Sequence, residues 1–396
     1  MVFQSRRRGP EVLFQLRLPE NNHVKKQKII IILIIVSAVA VLYFSCYLDD
    51  LFDRITIIDE NSRRTSVTPT LDIRIDPDKN IIFCATMQLA WNKLCSDVIK
   101  ETVEIENQPD YVNKLNELIN ETKWISDDSY VAMSGFVKDH IVEKINEEIG
   151  RKNLKFDNLM QSEQPDEIIS FSCLSKELAF ENPFESFTSN FKFGYEEIKV
   201  KAFGVFDNNE NYYQLKLAKQ VRVYYYNFDT MNEFIIELKT KSSNDQLIIS
   251  TIKPEETLLK TYKKIDEIIH RTQKPEKNDS DKINKYLAEN NDFKHLKIPK
   301  INFDITKYYK DIENKKVRNK NFQNYHIAYC MQNTKFKLNE RGTSVKSVSK
   351  LSMLFGARSI TSLIVNGPFI VYLKRRDAKY PYFMTYFGND ELLQKL

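Results

Sequence analysis

The side chains able to ligate metals or act as nucleophiles are few and poorly spaced for either task. The five histidines (His23, His140, His270, His295, His326) never pair at i, i+4, and the five cysteines (Cys46, Cys84, Cys95, Cys173, Cys330) include no CxxC. No zinc or redox site is therefore defined by spacing. Glycine occurs 9 times in 396 residues and never in a GxGxxG, GxxxxGK or GxSxG setting, which removes the dinucleotide, P-loop and serine-hydrolase readings. No catalytic residue, cofactor site or metal-ligand set follows from local motifs. A different capacity is written between Glu340 and Gly367. Thr343, Val345, Ser347, Ser349, Leu351 and Met353 would face one side of an extended chain and Ser344, Lys346, Val348, Lys350 and Ser352 the other. The first set is small or apolar and the second largely polar, the period-2 pattern of a half-buried strand. This stretch reads as a loop that can also be a strand, with an ordinary exposed Ser/Lys-rich loop as the alternative.

The elements that must hold such a loop need an ample core, and 42% hydrophobic with 29% charged residues supply one and exclude wholesale disorder. The net charge of +5 is confined to residues 1–28, which carry seven basic residues against two acidic; the remaining 52 basic residues are matched by 52 acidic ones. A neutral body argues against a nucleic-acid partner, whose affinity comes mainly from phosphate neutralisation. The basic tail is explained by its neighbour, Ile29–Leu48 (IIIILIIVSAVAVLYFSCYL), an uncharged stretch of twenty residues that would span roughly 30 Å as a helix. Lys25, Lys26 and Lys28 precede it and Asp49, Asp50 and Asp53 follow. The positive-inside rule then leaves the tail cytoplasmic and the rest extracytoplasmic, at the cell membrane. A cleaved signal peptide or a lipoprotein-type site at Ser45-Cys46 are rival readings with the same outcome for the body.

The expected organisation is a basic tail (1–28), a transmembrane helix (29–48), a polar stalk (49–79) and a domain (80–396). Helical spacing covers Gln88–Glu104, Val137–Glu148 and Leu258–Arg271. The runs VRVYYYNF, EFIIELKT and QLIISTIK predict an antiparallel meander, and PFIVYLKRR with YPYFMTYF a closing strand pair turning at Asp377–Lys379. The fold class is α+β with large antiparallel sheets. The four cysteines beyond the anchor lie mostly in apolar runs and read as small buried hydrophobes; a Cys84–Cys95 bridge remains open. Lys307–Lys320 reads as a solvated loop face, with a polyanion patch as the alternative.

Four segments together resemble the serpin family. NIIF at Asn80–Phe83 resembles the strand before an apolar helix, and IISFSCLSKELAFENPF at Ile168–Phe184 a strand ending in Trp/Phe-x-x-Pro-Phe. FKLNERGT at Phe336–Thr343 is similar to the strand leading into the reactive-loop hinge, and VNGPFIVYLKRR at Val365–Arg376 to the strand after that loop. Their order and separations fit from about residue 80 to 390.

The resemblance implies a serpin-like fold with surrounding helices and an exposed reactive loop. It implies a monomer that is no enzyme, needs no cofactor and traps a serine or cysteine protease. The loop is cut by the target and then inserts as a strand into a sheet. It places the hinge at Glu340, Gly342, Thr343, Val345, Ser347 and Ser349, and the scissile bond among Gly356, Ala357, Arg358 and Ser359. The shutter beneath the opening sheet would be Cys84, Thr86, Ser172 and Gln332. This sequence has Cys84-Ala85-Thr86-Met87 where the family has Ser-Pro-x-Ser, Ser172 where it has Asn, and Gln332 where it has His. In place of the usual hinge alanines, Ser347 and Ser349 would need partners once inserted, and Val345 is bulkier. The alternative is a serpin-fold surface module that binds or supports without trapping proteases.

Overall fold

A computed structural model describes residues 56–58, 62–341 and 360–396, apart from 120, 122, 155, 157–158, 160–163, 177, 208–211, 274–292 and 329. The described part begins with β1 (Thr56–Ile58), β2 (Thr65–Thr68) and β3 (Asn80–Cys84), then helices α1 (Thr86–Lys93) and α2 (Asp110–Glu117). Strand β4 (Tyr130–Phe136), helix α3 (Ile141–Arg151) and strand β5 (Ile168–Leu174) follow. Next come β6 (Glu185–Phe193), β7 (Ile198–Val205), α4 (Tyr212–Ala218), β8 (Val221–Tyr226), β9 (Phe234–Leu238), β10 (Asp245–Ser250) and α5 (Leu258–Gln273). The remainder is β11 (Phe293–Pro299), β12 (Ile301–Tyr308), β13 (Met331–Leu338), β14 (Ile360–Ile364), β15 (Phe369–Arg375) and β16 (Phe383–Phe387).

The expected α+β class holds, with several sheets. Seven strands in the order β2-β3-β16-β15-β10-β9-β8 form the central sheet, and β14-β11-β7-β6 a second. The meander β8–β9–β10 is antiparallel as its sequence predicts. Strands β9 and β10 are buried at every position, which is why FIIEL and the core of DQLIIS read as continuous apolar runs rather than alternations. Glu237, in the middle of β9, survives burial because Tyr224 Oη donates to it at 2.5 Å and Arg376 pairs with its other oxygen.

The remaining strands do not join one wide sheet. Among the described residues β4 pairs only with β5, and β13 closes a three-stranded sheet, β1-β12-β13. Helix α3 covers the β4–β5 pair through Ile141, Val142, Ile145 and Ile149, which pack with Val131 and Cys173 in a cluster separate from the main core.

Two expectations are corrected and one open alternative is closed. The predicted stalk extends too far: Thr65 lies opposite Asn80 and Thr68 opposite Phe83 in a parallel β2–β3 pair, with Val67 and Leu71 buried. The polar residues of this segment bond inward, Thr65 Oγ1 to Glu391 and Asn80 Nδ2 to Thr65 and Asn389, so they resemble linker only in composition. The helix expected over Gln88–Glu104 stops early, loosening into wider i→i+5 turns over Leu94–Ile99 and ending at Lys100 in the left-handed region (φ 66°). Cys84 and Cys95 are both free, as are Cys173 and Cys330.

Gly204 on β7 has φ +155°, and a Cβ there would run into the carbonyl oxygen of Leu296 on β11. Gly204→Ala is expected to destabilise the fold by about 3 kcal/mol, read as a lowered urea midpoint.

Candidate functional site

Helix α1 is the floor of the site. It follows β3 directly, and both small sheets rest on it: Ser170 Oγ of β5 donates to the Ala90 carbonyl at 2.7 Å, while Gln332 Nε2 of β13 donates to the Cys84 carbonyl at 3.0 Å and to Thr86 Oγ1 at 2.9 Å. Among the described residues no ladder joins β5 to β13. Each strand therefore has one edge paired, with β4 or β12, and one edge left without a strand partner. Unpaired N–H and C=O groups along an edge are a template for another strand.

The inward rows follow from strand alternation. On β13, Gln332 and Thr334 are buried, Phe336 stacks on Phe383 of β16 at 4.3 Å between ring centroids, and Leu338 is buried. Gln332 is the hub. It accepts from Tyr309 Oη at 2.6 Å in addition to its two donated bonds, so both ends of its amide are engaged. Three of the four residues expected at the shutter, Cys84, Thr86 and Gln332, are brought together in this way. The fourth, Ser172, lies on β5 with its hydroxyl buried and without a partner among the described residues.

Tyr309 was not legible, because it follows β12 within the Lys307–Lys320 stretch expected to be solvated. It is 4% exposed and packs with Met87, Trp91 and Ile312, and burial pushes its hydroxyl pKa well up. The thiols nearby are neutral for the same reason. Burial raises Cys84, and Cys330, 3.9 Å from the Met87 sulfur, is pushed up to about 12. Neither suits a nucleophile. Among the described residues no group of three His, Cys, Asp or Glu converges that could hold a metal.

At the far end of β13 the chain is clamped. Glu340 meets Lys300 at 2.5 Å, a charge contact off the hydrogen-bond axis, with both side chains nearly buried. The Glu340 carbonyl accepts the Phe184 amide at 2.8 Å. Phe180 and Phe184 of the FENPF element pack edge to face, 4.9 Å apart, and both touch Phe203. The expected hinge residue Glu340 is thus held twice, by Lys300 at its side chain and by Phe184 at its backbone. Gly342, Thr343, Val345, Ser347 and Ser349, the candidates Gly356, Ala357, Arg358 and Ser359, and the segment Ile29–Leu48 lie outside the described residues. No helix among the described residues is long and apolar enough to cross a membrane.

No family model and no curated protein matches the sequence. The solved structures to which the chain is similar are serpins. Serpin-12 of Manduca sexta matches with 12% identity and a TM-score of 0.47, covering 80% of this chain and 94% of that one. Maspin matches with 13% identity and a TM-score of 0.45, over 78% and 92%. Human thyroxine-binding globulin matches with 11% identity and a TM-score of 0.42, over 79% and 92%.

Gln332→Leu leaves the Tyr309 hydroxyl buried and unpaired. It is expected to cost about 2 kcal/mol of unfolding free energy, and adding Tyr309→Phe should cost less than the same change does alone. A double-mutant cycle by urea denaturation measures both.

Proposed function

We propose that this chain is a divergent serpin-type protein that traps a serine or cysteine protease by strand insertion. The observation that carries the reading is the pair of strand edges, on β5 and β13, left without a strand partner among the described residues over one shared helix, with the segment 342–359 following three residues after β13. That segment is 18 residues long, and its residues 343–353 have the alternation of a half-buried strand. Coming so soon after β13, it would return antiparallel alongside it and cap the unpaired edge.

In this mechanism the protease supplies the nucleophile and attacks one of the bonds within Gly356–Ser359. The acyl-enzyme forms, the cut frees the segment from Ile360, and insertion competes with deacylation. The β13 ladder gains a full set of backbone hydrogen bonds, which makes the product more stable than the starting state. The uncut protein persists because conversion is slow. The Lys300–Glu340 clamp marks the point about which the segment turns.

The chain cut within 350–359 is expected to melt far above the intact chain. An SDS-resistant adduct with the target enzyme is expected at the same site, located by mass spectrometry. A cut chain that melts where the intact one does removes the insertion reading and leaves a binding module.

We also propose that Ile29–Leu48 tethers the body outside the cytoplasm. The support is its uncharged length and the lysines before it. The protein should stay with membranes through alkaline carbonate extraction; release into the supernatant would rule the tether out.

A further inference from the structure

Lys307 is a cation on the inward face of its strand. In the β12–β13 ladder it lies opposite Gln332, as Ile305 lies opposite Thr334 and Phe303 opposite Phe336. Directly opposed residues project from one face, and Phe303, Ile305, Gln332 and Thr334 are all buried. Lys307 is half-buried, beside a cavity of about 460 Å³ between β12 and β2. Arg63 and Lys79 line the same cavity, with the hydroxyl residues Ser66 and Thr306, and no carboxylate does so among the described residues. The carboxylates bonded to its rim are engaged: Glu391 accepts from Ser62 and Thr65, and Asp76 pairs with Lys79 at 3.3 Å. Arg63 and Lys307 have no carboxylate partner among the described residues. Two unmatched cations on one cavity, with hydroxyl donors beside them, make a place for an anion.

Past Ser66, Val67 and Lys307, which both spaces share, lies a cleft of about 840 Å³, within the roughly 300–1,000 Å³ usual for small-molecule sites. Tyrosines line it. Tyr308 is exposed, Tyr309 is buried, and Tyr111 of α2 tilts against Tyr309 with ring centroids 6.0 Å apart. The remaining charges of the cleft have the opposite balance, with Asp72, Asp110, Glu117 and Asp311 against Lys114 and Lys310. Lys114 is itself engaged by Glu117 at 3.1 Å and Asp72 at 3.8 Å, and Asp311 accepts from the Tyr111 hydroxyl at 2.9 Å. A second negative charge on a ligand would meet these carboxylates. The arrangement therefore disfavours a polyanion and suits one anionic group carried on a neutral ring.

We propose that this cleft binds an aromatic acid, a small molecule with one anionic group held by Lys307 and Arg63 and a neutral ring lying against Tyr308. The site is built on β2, α2 and the end of β12, and it does not depend on the insertion reading.

The test is calorimetric titration of detergent-solubilised full-length protein with naphthaleneacetate, beside acetate and the neutral naphthaleneacetamide. The aromatic acid should bind at least about tenfold more tightly than either control. Lys307→Gln should weaken the acid about tenfold and leave the amide unchanged, whereas Lys307→Arg, which keeps the charge, should bind the acid as wild type does. Tyr308→Ala, at an exposed ring, should weaken acid and amide alike by a few-fold. Equal affinity of the acid for wild type and Lys307→Gln, an amide that binds as tightly as the acid, or no heat of binding to wild type overturns the assignment. Displacement of the acid by dextran sulfate overturns it too, in favour of a surface patch for polyanions.

Discussion

The architecture turns on a hydrogen-bond ladder that is not made. Strands β5 and β13 are seated on one helix yet belong to separate small sheets, so among the described residues a row of backbone donors and acceptors on each lacks a strand partner. Leaving such groups unpaired in a protein interior is costly, and the rest of the molecule can be understood as what makes that state tolerable. The central sheet and its core carry the stability. The β4–β5–α3 unit has its own small apolar cluster, and the β12–β13 unit is held by Tyr309, Ile312 and the aromatic stack of Phe336 on Phe383.

Two kinds of fastening act on β13. Gln332 ties its first turn of sequence to the end of β3 and the start of α1 through neutral hydrogen bonds. Glu340 ties its last to Lys300, between β11 and β12, and to the backbone of Phe184. A nearly buried ion pair is weak as a source of net stability but strict in geometry, since losing one partner strands the other charge. It fixes where the chain must turn rather than adding to the core.

Much of the frame was legible in the sequence because it rests on dense, local signals. The β8–β10 meander, helix α5 and the β15–β16 pair carry β-branched or helically spaced apolar runs, and each formed about where its pattern placed it. Strand β2 did not, because TSVT is polar and its Thr65 is satisfied by Asn80 of β3 and by Glu391 near the other end of the sequence. Three of the four shutter positions converge, while Tyr309 and Lys300, which complete the two fastenings, carry no local signal. A tyrosine in a lysine-rich stretch reads as surface, and a lysine between two strands reads as a turn. Their partners are brought to them by tertiary structure alone.

The composition of the Gln332 hub has a consequence for the compartments in which the protein can work. An amide, two hydroxyls and a backbone carbonyl make up this latch, and none of them gains or loses a proton near neutrality; the one phenol among them is pushed further from that range by burial. An imidazole in the same place would change its donor and acceptor roles as the medium acidifies. A hub of this chemistry carries no group of its own that changes charge between an acidified vesicle and neutral fluid.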